Sequence, residues 1–293
     1  MTEKTFAFLE SEIQASDMHR ARFSVLPVPY EKTVSYGKGT ALGPAAILEA
    51  SSQLETWDGK SNPSMLGIHT CAPINCEEAA SRVIDNIAAR VSSILAAKSM
   101  PVVLGGEHTV TYGVIKGYLD AGFTDFGVVQ IDAHADLREA YEQDPLSHAS
   151  VMKRVVDEGV ALFQLGVRAY SEEEAEIRTR HAVAYIDAEE LVKGAIDSIE
   201  LPADFPQKVF FTLDIDGMDP SIFPATGTPV PGGLGWYQTL GLFESVARQR
   251  DIIGFDIMEF SPIKDSEGYN FAAAQLVYKL MGIIQRTAKI KAS

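Results

Sequence analysis

Short runs of β-branched, aromatic and aliphatic residues alternate with longer amphipathic stretches along nearly the whole chain. That alternation predicts repeated strand and helix units around a mainly parallel sheet, an α/β class with helices on both faces. The first strand is expected at 22–28. After a loop holding Gly37, Gly39 and Gly43, a helix is expected to begin near Pro44, a residue favoured in a first helical turn. Within 77–98 the apolar residues Ile84, Ile87, Val91, Ile94 and Leu95 recur at the i, i+3, i+4 spacing of one buried helix face, and Pro101 reads as its breaker. Further strands are expected at 102–104, 126–131, 161–165, 183–186, 209–213 and 252–257, several apolar throughout, as strands buried on both faces are. Helices expected at 149–158, 172–180, 188–195, 236–250 and 271–286 are long enough to be crossovers. No repeat, low-complexity tract or linker divides the sequence, so residues 1–293 read as one domain.

Composition narrows the partners more than the fold. With 46% hydrophobic and 22% charged residues the chain is ordinary for a globular protein. A formal net charge of −15 argues against nucleic acid and anionic membrane as partners and would draw in a cationic small molecule. Cys71 and Cys76 are too few for a disulfide framework and lack zinc-site spacing. The N-terminal segment lacks the basic start and apolar stretch of a secretory signal, and no apolar run reaches the roughly 18 residues of a membrane span, so a cytoplasmic protein is expected.

The informative residues fall at strand exits. Val102-Val103-Leu104 is followed by Gly105-Gly106-Glu107-His108, the run ending at Ile131 by Asp132-Ala133-His134-Ala135-Asp136, and the run ending at Leu213 by Asp214-Ile215-Asp216. In a parallel sheet these exits share one edge, where ligands bind. Residues two apart on an extended strand end project to one side, so Asp132, His134 and Asp136, and likewise Asp214 and Asp216, are expected to face one cavity. Four carboxylates gathered there demand positive charge. Four oxygen donors with two imidazoles suit a hard or borderline cation such as Mn²⁺, and six ligands over-supply one open ion, so a two-metal site with room for water is expected.

The segments GGEHTVTYG, DAHAD, SHASVMKR and DIDGMDPSIFPATGTPVPGG, in that order, resemble the ureohydrolase family of arginases and agmatinases, from about the first strand to the last helix. The resemblance implies a three-layer α/β/α fold, two Mn²⁺ ions, and hydrolysis of a guanidino group to urea and an amine. It implies that His108, Asp132, Asp136 and Asp214 hold one ion, and that Asp132, His134, Asp214 and Asp216 hold the other. It further implies that Glu259 pairs with the substrate guanidinium, that protons pass through Asp136 and a mobile His148, and that the chain assembles as a homotrimer or homohexamer. Thr228 is a candidate hydroxyl near the guanidinium.

Arginases carry a Ser-Gly-Asn stretch after the second metal motif, which holds the amino acid's α-substituents. The matching loop here, 137–146, lacks it and instead contains Glu139, Glu142 and Asp144, so agmatine, hydrolysed to putrescine, is the expected substrate. Arg138 in that loop is a candidate substrate contact that would suit a carboxylate tail, as in 4-guanidinobutyrate. Formimidoylglutamase, arginase and a non-catalytic metal-binding homologue remain alternatives, though the last would be expected to lose ligands, Glu259 or His148.

Overall fold

The apolar runs become strands that are buried because both of their faces are covered. In a computed structural model, residues 6–292 are described, with side chains to residue 288; the first five residues of the N-terminal segment read above lie outside them. In chain order the elements are β1 (Phe23–Val28), α1 (Gly43–Ser51), β2 (Ile68–Thr70), α2 (Ala80–Ala96), β3 (Met100–Gly105), α3 (Val110–Asp120), β4 (Gly127–Ile131), α4 (Val151–Asp157) and β5 (Ala161–Leu165). There follow α5 (Glu172–Arg180), β6 (Ala184–Ile186), α6 (Ala188–Lys193), β7 (Lys208–Asp214), α7 (Trp236–Gln249), β8 (Asp251–Met258) and α8 (Gly268–Ala292). The strands form one sheet in the order β2-β1-β3-β8-β7-β4-β5-β6, and every pairing is parallel.

Alternate side chains of each central strand enter two different cores. Val102 and Leu104, Val129 and Ile131, and Phe211 and Leu213 pack with α1, α6, α7 and α8, while Val103, Val128 and Phe210 pack with α2, α3, α4 and α5. This is the three-layer α/β/α arrangement expected. At about 25 cal/mol per Å² of apolar surface, burying each such side chain contributes about 1.5–3 kcal/mol, which is why the runs carry almost no charge.

The structure departs from expectation at four places. The edge strand β2 and the helix α3 were not foreseen; α3 carries Gly113 and Gly117, and a Cβ at either would meet Ile87 or Val91 of α2 at 2.9 or 2.7 Å, so glycine here permits close helix packing. Pro101 does not end a helix. It lies inside β3, next to Met100, and α2 stops earlier, with Lys98 taking up the turn in a left-handed conformation at φ 61°. The stretch expected as a helix from 149 begins as a 3-10 turn, His148–Ser150, before α4 proper.

Candidate metal centre

β3 and β4 follow one another in sequence, yet β8 and β7 lie between them in the sheet. Ligands bind where connections diverge at the carboxyl edge of such a sheet. His108 follows β3, Glu259 follows β8, Asp214 ends β7 and Asp132 follows β4, so four neighbouring strands deliver their exits to one place.

The expected convergence occurs, but strand alternation is not its cause. Asp214 is the last strand residue, and Ile215–Gly217 is a 3-10 turn. The amide of Asp216 donates to Asp214 Oδ1 at 2.8 Å, and that of His134 donates to Asp132 Oδ1 at 2.6 Å. In both segments an acid captures the amide two residues on, a turn that aspartate forms readily. Asp136 turns back toward the others from a left-handed backbone, φ 54°. Met152 and Lys153 at the start of α4 donate to its carbonyl at 3.0 and 3.1 Å.

Donor atoms from all six residues crowd together. His108 Nδ1 lies 3.1 Å from Asp132 Oδ2, 3.2 Å from Asp136 Oδ2 and 3.2 Å from Asp214 Oδ2. None of the three contacts has hydrogen-bond geometry, so this buried nitrogen is without a partner. His134 Nδ1 lies 3.0 Å from Asp216 Oδ2 and 3.6 Å from Asp132 Oδ1. Two triads, His108 with Asp132 and Asp136, and Asp132 with His134 and Asp216, each gather their ligand atoms within 4.8 Å, and Asp132 belongs to both. An orphaned ring nitrogen aimed between three carboxylates, in a donor set of oxygen and imidazole without thiolate, fits a pair of divalent cations.

The electrostatics say the same. Burial opposes charge on His108, but the three acids outweigh it and hold the ring's pKa well above the ordinary value. Burial likewise opposes charge on His134, yet Asp216 and Asp132 push its pKa up to about 12. Burial and the charge of Asp132 raise Asp136 to about 7, and burial with Asp216 and Asp132 raises Asp214 well above its ordinary value. Asp132 is pulled down, its burial being overcome by the two histidines.

Beneath these donors runs a row of buried polar side chains that sequence reading missed. Gln164, Gln130, Thr212 and Asp256 occupy one register line across β5, β4, β7 and β8, all fully buried. Gln130 Nε2 donates to Asp132 Oδ2 at 2.7 Å, and Thr212 Oγ1 lies 2.9 Å from His108 Nε2. Thr212 also hydrogen-bonds Asp256, which accepts from Thr111 Oγ1 at 2.8 Å. The available signal was a single polar residue inside each apolar run, as in VVQI and FFTL. Arg168 was missed as well: its guanidinium donates to the carbonyls of Gly166, Asp216, Gly217, Met218 and Val230 at 2.6–3.3 Å, pinning the turn that carries Asp216.

The other candidates surround the cluster. Glu259, 7% exposed and in a left-handed conformation at φ 59°, accepts from the His108 amide at 2.8 Å; burial, with Glu107 nearby, raises its pKa well above the carboxylate range. His148 Nδ1 sits 3.1 Å from Thr33 Oγ1, its ring edge-on to Tyr141 at 5.6 Å, and burial lowers its pKa. Thr33 donates in turn to Glu107, an acid the sequence reading left unassigned. Thr228 Oγ1 donates to Asp216 Oδ2 at 3.2 Å, so its hydroxyl proton is directed at a candidate ligand. A cavity of about 400 Å³ opens beside His134 and Asp136, and Arg138, Tyr170 and Glu174 line it. Arg138 Nε lies 3.7 Å from Glu174. Cys71 and Cys76 are free thiols, as read from the sequence. Among the described residues no helix is long and apolar enough to cross a membrane.

Comparison with known proteins gives the family of the chain. The N(1)-aminopropylagmatine ureohydrolase of Synechocystis sp. is 39% identical over 94% of this chain and 92% of its own. The agmatinase of Pyrococcus horikoshii is 30% identical, covering 96% of this chain and 99% of its own. The crystal structure of agmatine ureohydrolase of Thermoplasma volcanium superposes with a TM-score of 0.84 at 27% identity, covering 99% of this chain and 97% of that one. The arginase-family profile matches residues 21–282, which takes in every strand and every donor above, and the chain therefore belongs to the arginase family as a ureohydrolase most like the agmatinases.

Proposed function

We propose that the cluster is a binuclear manganese centre and that the chain hydrolyses the guanidino group of agmatine, releasing urea and putrescine. The observation that carries this is His108 Nδ1, buried at 3.1–3.2 Å from three carboxylate oxygens with no hydrogen bond to any. His108, Asp132, Asp136 and Asp214 would hold one ion, and Asp132, His134, Asp214 and Asp216 the other. When bound, two such ions supply Lewis acidity and a water activated at neutral pH.

The chain's own residues do the rest. Glu259, fixed by the His108 amide, offers a buried carboxylate to a planar guanidinium, and the arriving positive charge offsets the burial that raises its pKa. His148 is held by Thr33 through Nδ1, which leaves Nε2 to carry a proton between solvent and the departing amine. Asp136, whose pKa lies near neutrality, can hold that proton inside the site. Thr228 orients Asp216.

The acidic net charge and the absence of an arginase-type stretch in 137–146 support a cationic substrate without an α-carboxylate. Arg138 faces Glu174 across the cavity wall, so its charge is already opposed there. N(1)-aminopropylagmatine is the second reading, favoured by the names of relatives from Synechocystis sp. and Thermus thermophilus at 39% and 35% identity. Urea release from manganese-loaded protein, with agmatine, N(1)-aminopropylagmatine, arginine and 4-guanidinobutyrate at matched concentrations, decides among them. Preference for either polyamine supports the class and selects the substrate; preference for a carboxylated substrate, or no urea at all, overturns it.

A further inference from the structure

Two buried amides beside the centre have their orientation dictated from both ends. Gln130 and Gln164 are register partners on β4 and β5 and are fully buried. At one end Gln130 Nε2 donates to Asp132 Oδ2 at 2.7 Å and approaches the His134 carbonyl at 3.5 Å. An ionised carboxylate only accepts. At the other end Arg178 Nε donates to Gln164 Oε1 at 2.7 Å, and a guanidinium only donates. Between them Gln164 Nε2 donates to Gln130 Oε1 at 2.6 Å and to the Ala135 carbonyl at 2.7 Å. Exchanging oxygen and nitrogen in either amide would set donor against donor or acceptor against acceptor. The direction of the chain from Arg178 to Asp132 therefore follows from the chemistry of its two ends.

Arg178 is itself held for this task. It is 3% exposed, donates from Nη1 to Asp187 Oδ1 at 3.0 Å, and lies over the rings of Tyr170 and Tyr185 at 4.7 and 4.3 Å. Its own helix is fixed by a capping box between Ser171 and Glu174. Glu174 also accepts from the Leu137 amide at 3.1 Å, just past Asp136. The first turn of α5 and the arginine near its end thus both fasten the segment that carries Asp132, His134 and Asp136.

We infer that Arg178 is a positioning residue for the metal centre, acting through Gln164 and Gln130 to present the ionised face of Asp132 and to hold the Ala135 carbonyl of the same loop. The inference rests on the manganese reading above. Gln164→Glu tests it with little change of volume. A carboxylate at that position accepts from Arg178 and from Gln130, so Gln130 turns its carbonyl oxygen toward Asp132 and Ala135 loses its donor. Arg178 meanwhile gains a buried counter-ion, which supports the fold.

Titration calorimetry of the full chain with Mn²⁺ is expected to show a dissociation constant raised about 10–100-fold in Gln164→Glu, as is usual when a partner of a metal ligand is lost. The melting temperature of the metal-free protein reports separately whether packing has suffered. Affinity within about twofold of the unsubstituted chain overturns the inference, because a residue that only fills the core has no influence on the ions. Three other variants keep the test open if that variant does not fold. Gln130→Met, which removes the last donor at similar volume, is expected to weaken Mn²⁺ binding; a loss there with none in Gln164→Glu overturns the role of Arg178. Arg178→Lys is expected to retain more affinity than Arg178→Met, and unchanged affinity in Arg178→Met overturns the inference. An unsubstituted chain that binds no Mn²⁺ overturns the metal centre, and this inference with it.

Discussion

His108 and Asp132 meet at 3.1 Å, yet the structure backs them with opposite chemistry. Behind the histidine stand a hydroxyl and an acid, Thr212 and then Asp256. Behind the acid stand two amides and a cation, Gln130, Gln164 and then Arg178. Each line ends in a charge that complements the residue it backs. A ring whose far N–H points toward an anion gives up its lone pair more readily, and a carboxylate that receives N–H bonds stays ionised. The lesson is that a candidate donor set reads as six residues in the sequence, while the side chains that orient it form a row one pleat lower in the sheet.

The largest effect is expected where both supports lose their object. Asp132→Ala removes the acid shared by the two triads, so manganese content measured by atomic emission falls to background and urea release with it. Glu259→Gln should separate binding from turnover: both ions remain, while kcat falls about 10²–10³-fold, the scale of losing one oriented electrostatic partner. Equal kcat in this variant would remove Glu259 from the substrate contact.

Asp256→Asn tests the histidine's line of support against the amide line. Burial raises Asp256 to about 6, so it is ionised at neutral pH, and Asn at the same volume takes the charge away. Manganese affinity is expected to fall about 10-fold, less than for Asp132→Ala, because His108 keeps its hydrogen bond to Thr212. No change would mean that Thr212 alone orients the ring. The smallest effect is on proton balance. In the metal-free protein His134 titrates at about 12 and Asp136 at about 7, so both carry protons that ions must displace. Mn²⁺ binding should release protons and tighten as pH rises through the Asp136 value, which calorimetry in two buffers of different ionisation enthalpy measures. For folding alone the sign is opposite: the raised His134 pKa gives stability that is full below about 6.5 and lost as pH rises through about 12. The metal-free protein should therefore lose stability with rising pH where the manganese-bound protein does not.

Much of this could be read from the sequence because local chemistry and fold agreed. β5 and α5 fall at the expected residues, the one an apolar run between turn signals, the other started by Ser171 and Glu174 in a capping box. The convergence of the six candidate donors was legible because they sit at strand exits, and exits share an edge whatever the strand order. α3 was hidden, since the GGEHTVTYG motif runs into its first turn and its two glycines weaken the helical pattern. Gln130, Gln164, Thr212 and Asp256 were hidden for a different reason. A lone polar residue in a strand says nothing until the register shows which others lie beside it, and register depends on strand order. The tight turns that carry His134 and Asp216 were likewise out of reach: alternation led to the right expectation for Asp214 and Asp216, but a captured amide, not a strand, brings them together.

The strand order also carries a consequence for synthesis. β3 and β4 are made one after the other, but three inter-strand steps, about 14 Å at the usual sheet spacing, separate them in the finished protein. The two strands that fill the gap arrive last, β8 ending at Met258. Until then the sheet is two unjoined halves, with His108 on one and Asp132 on the other. A nascent chain cannot gather these side chains early, and any ion held between His108 and Asp132 would mark that the last strands have threaded into place.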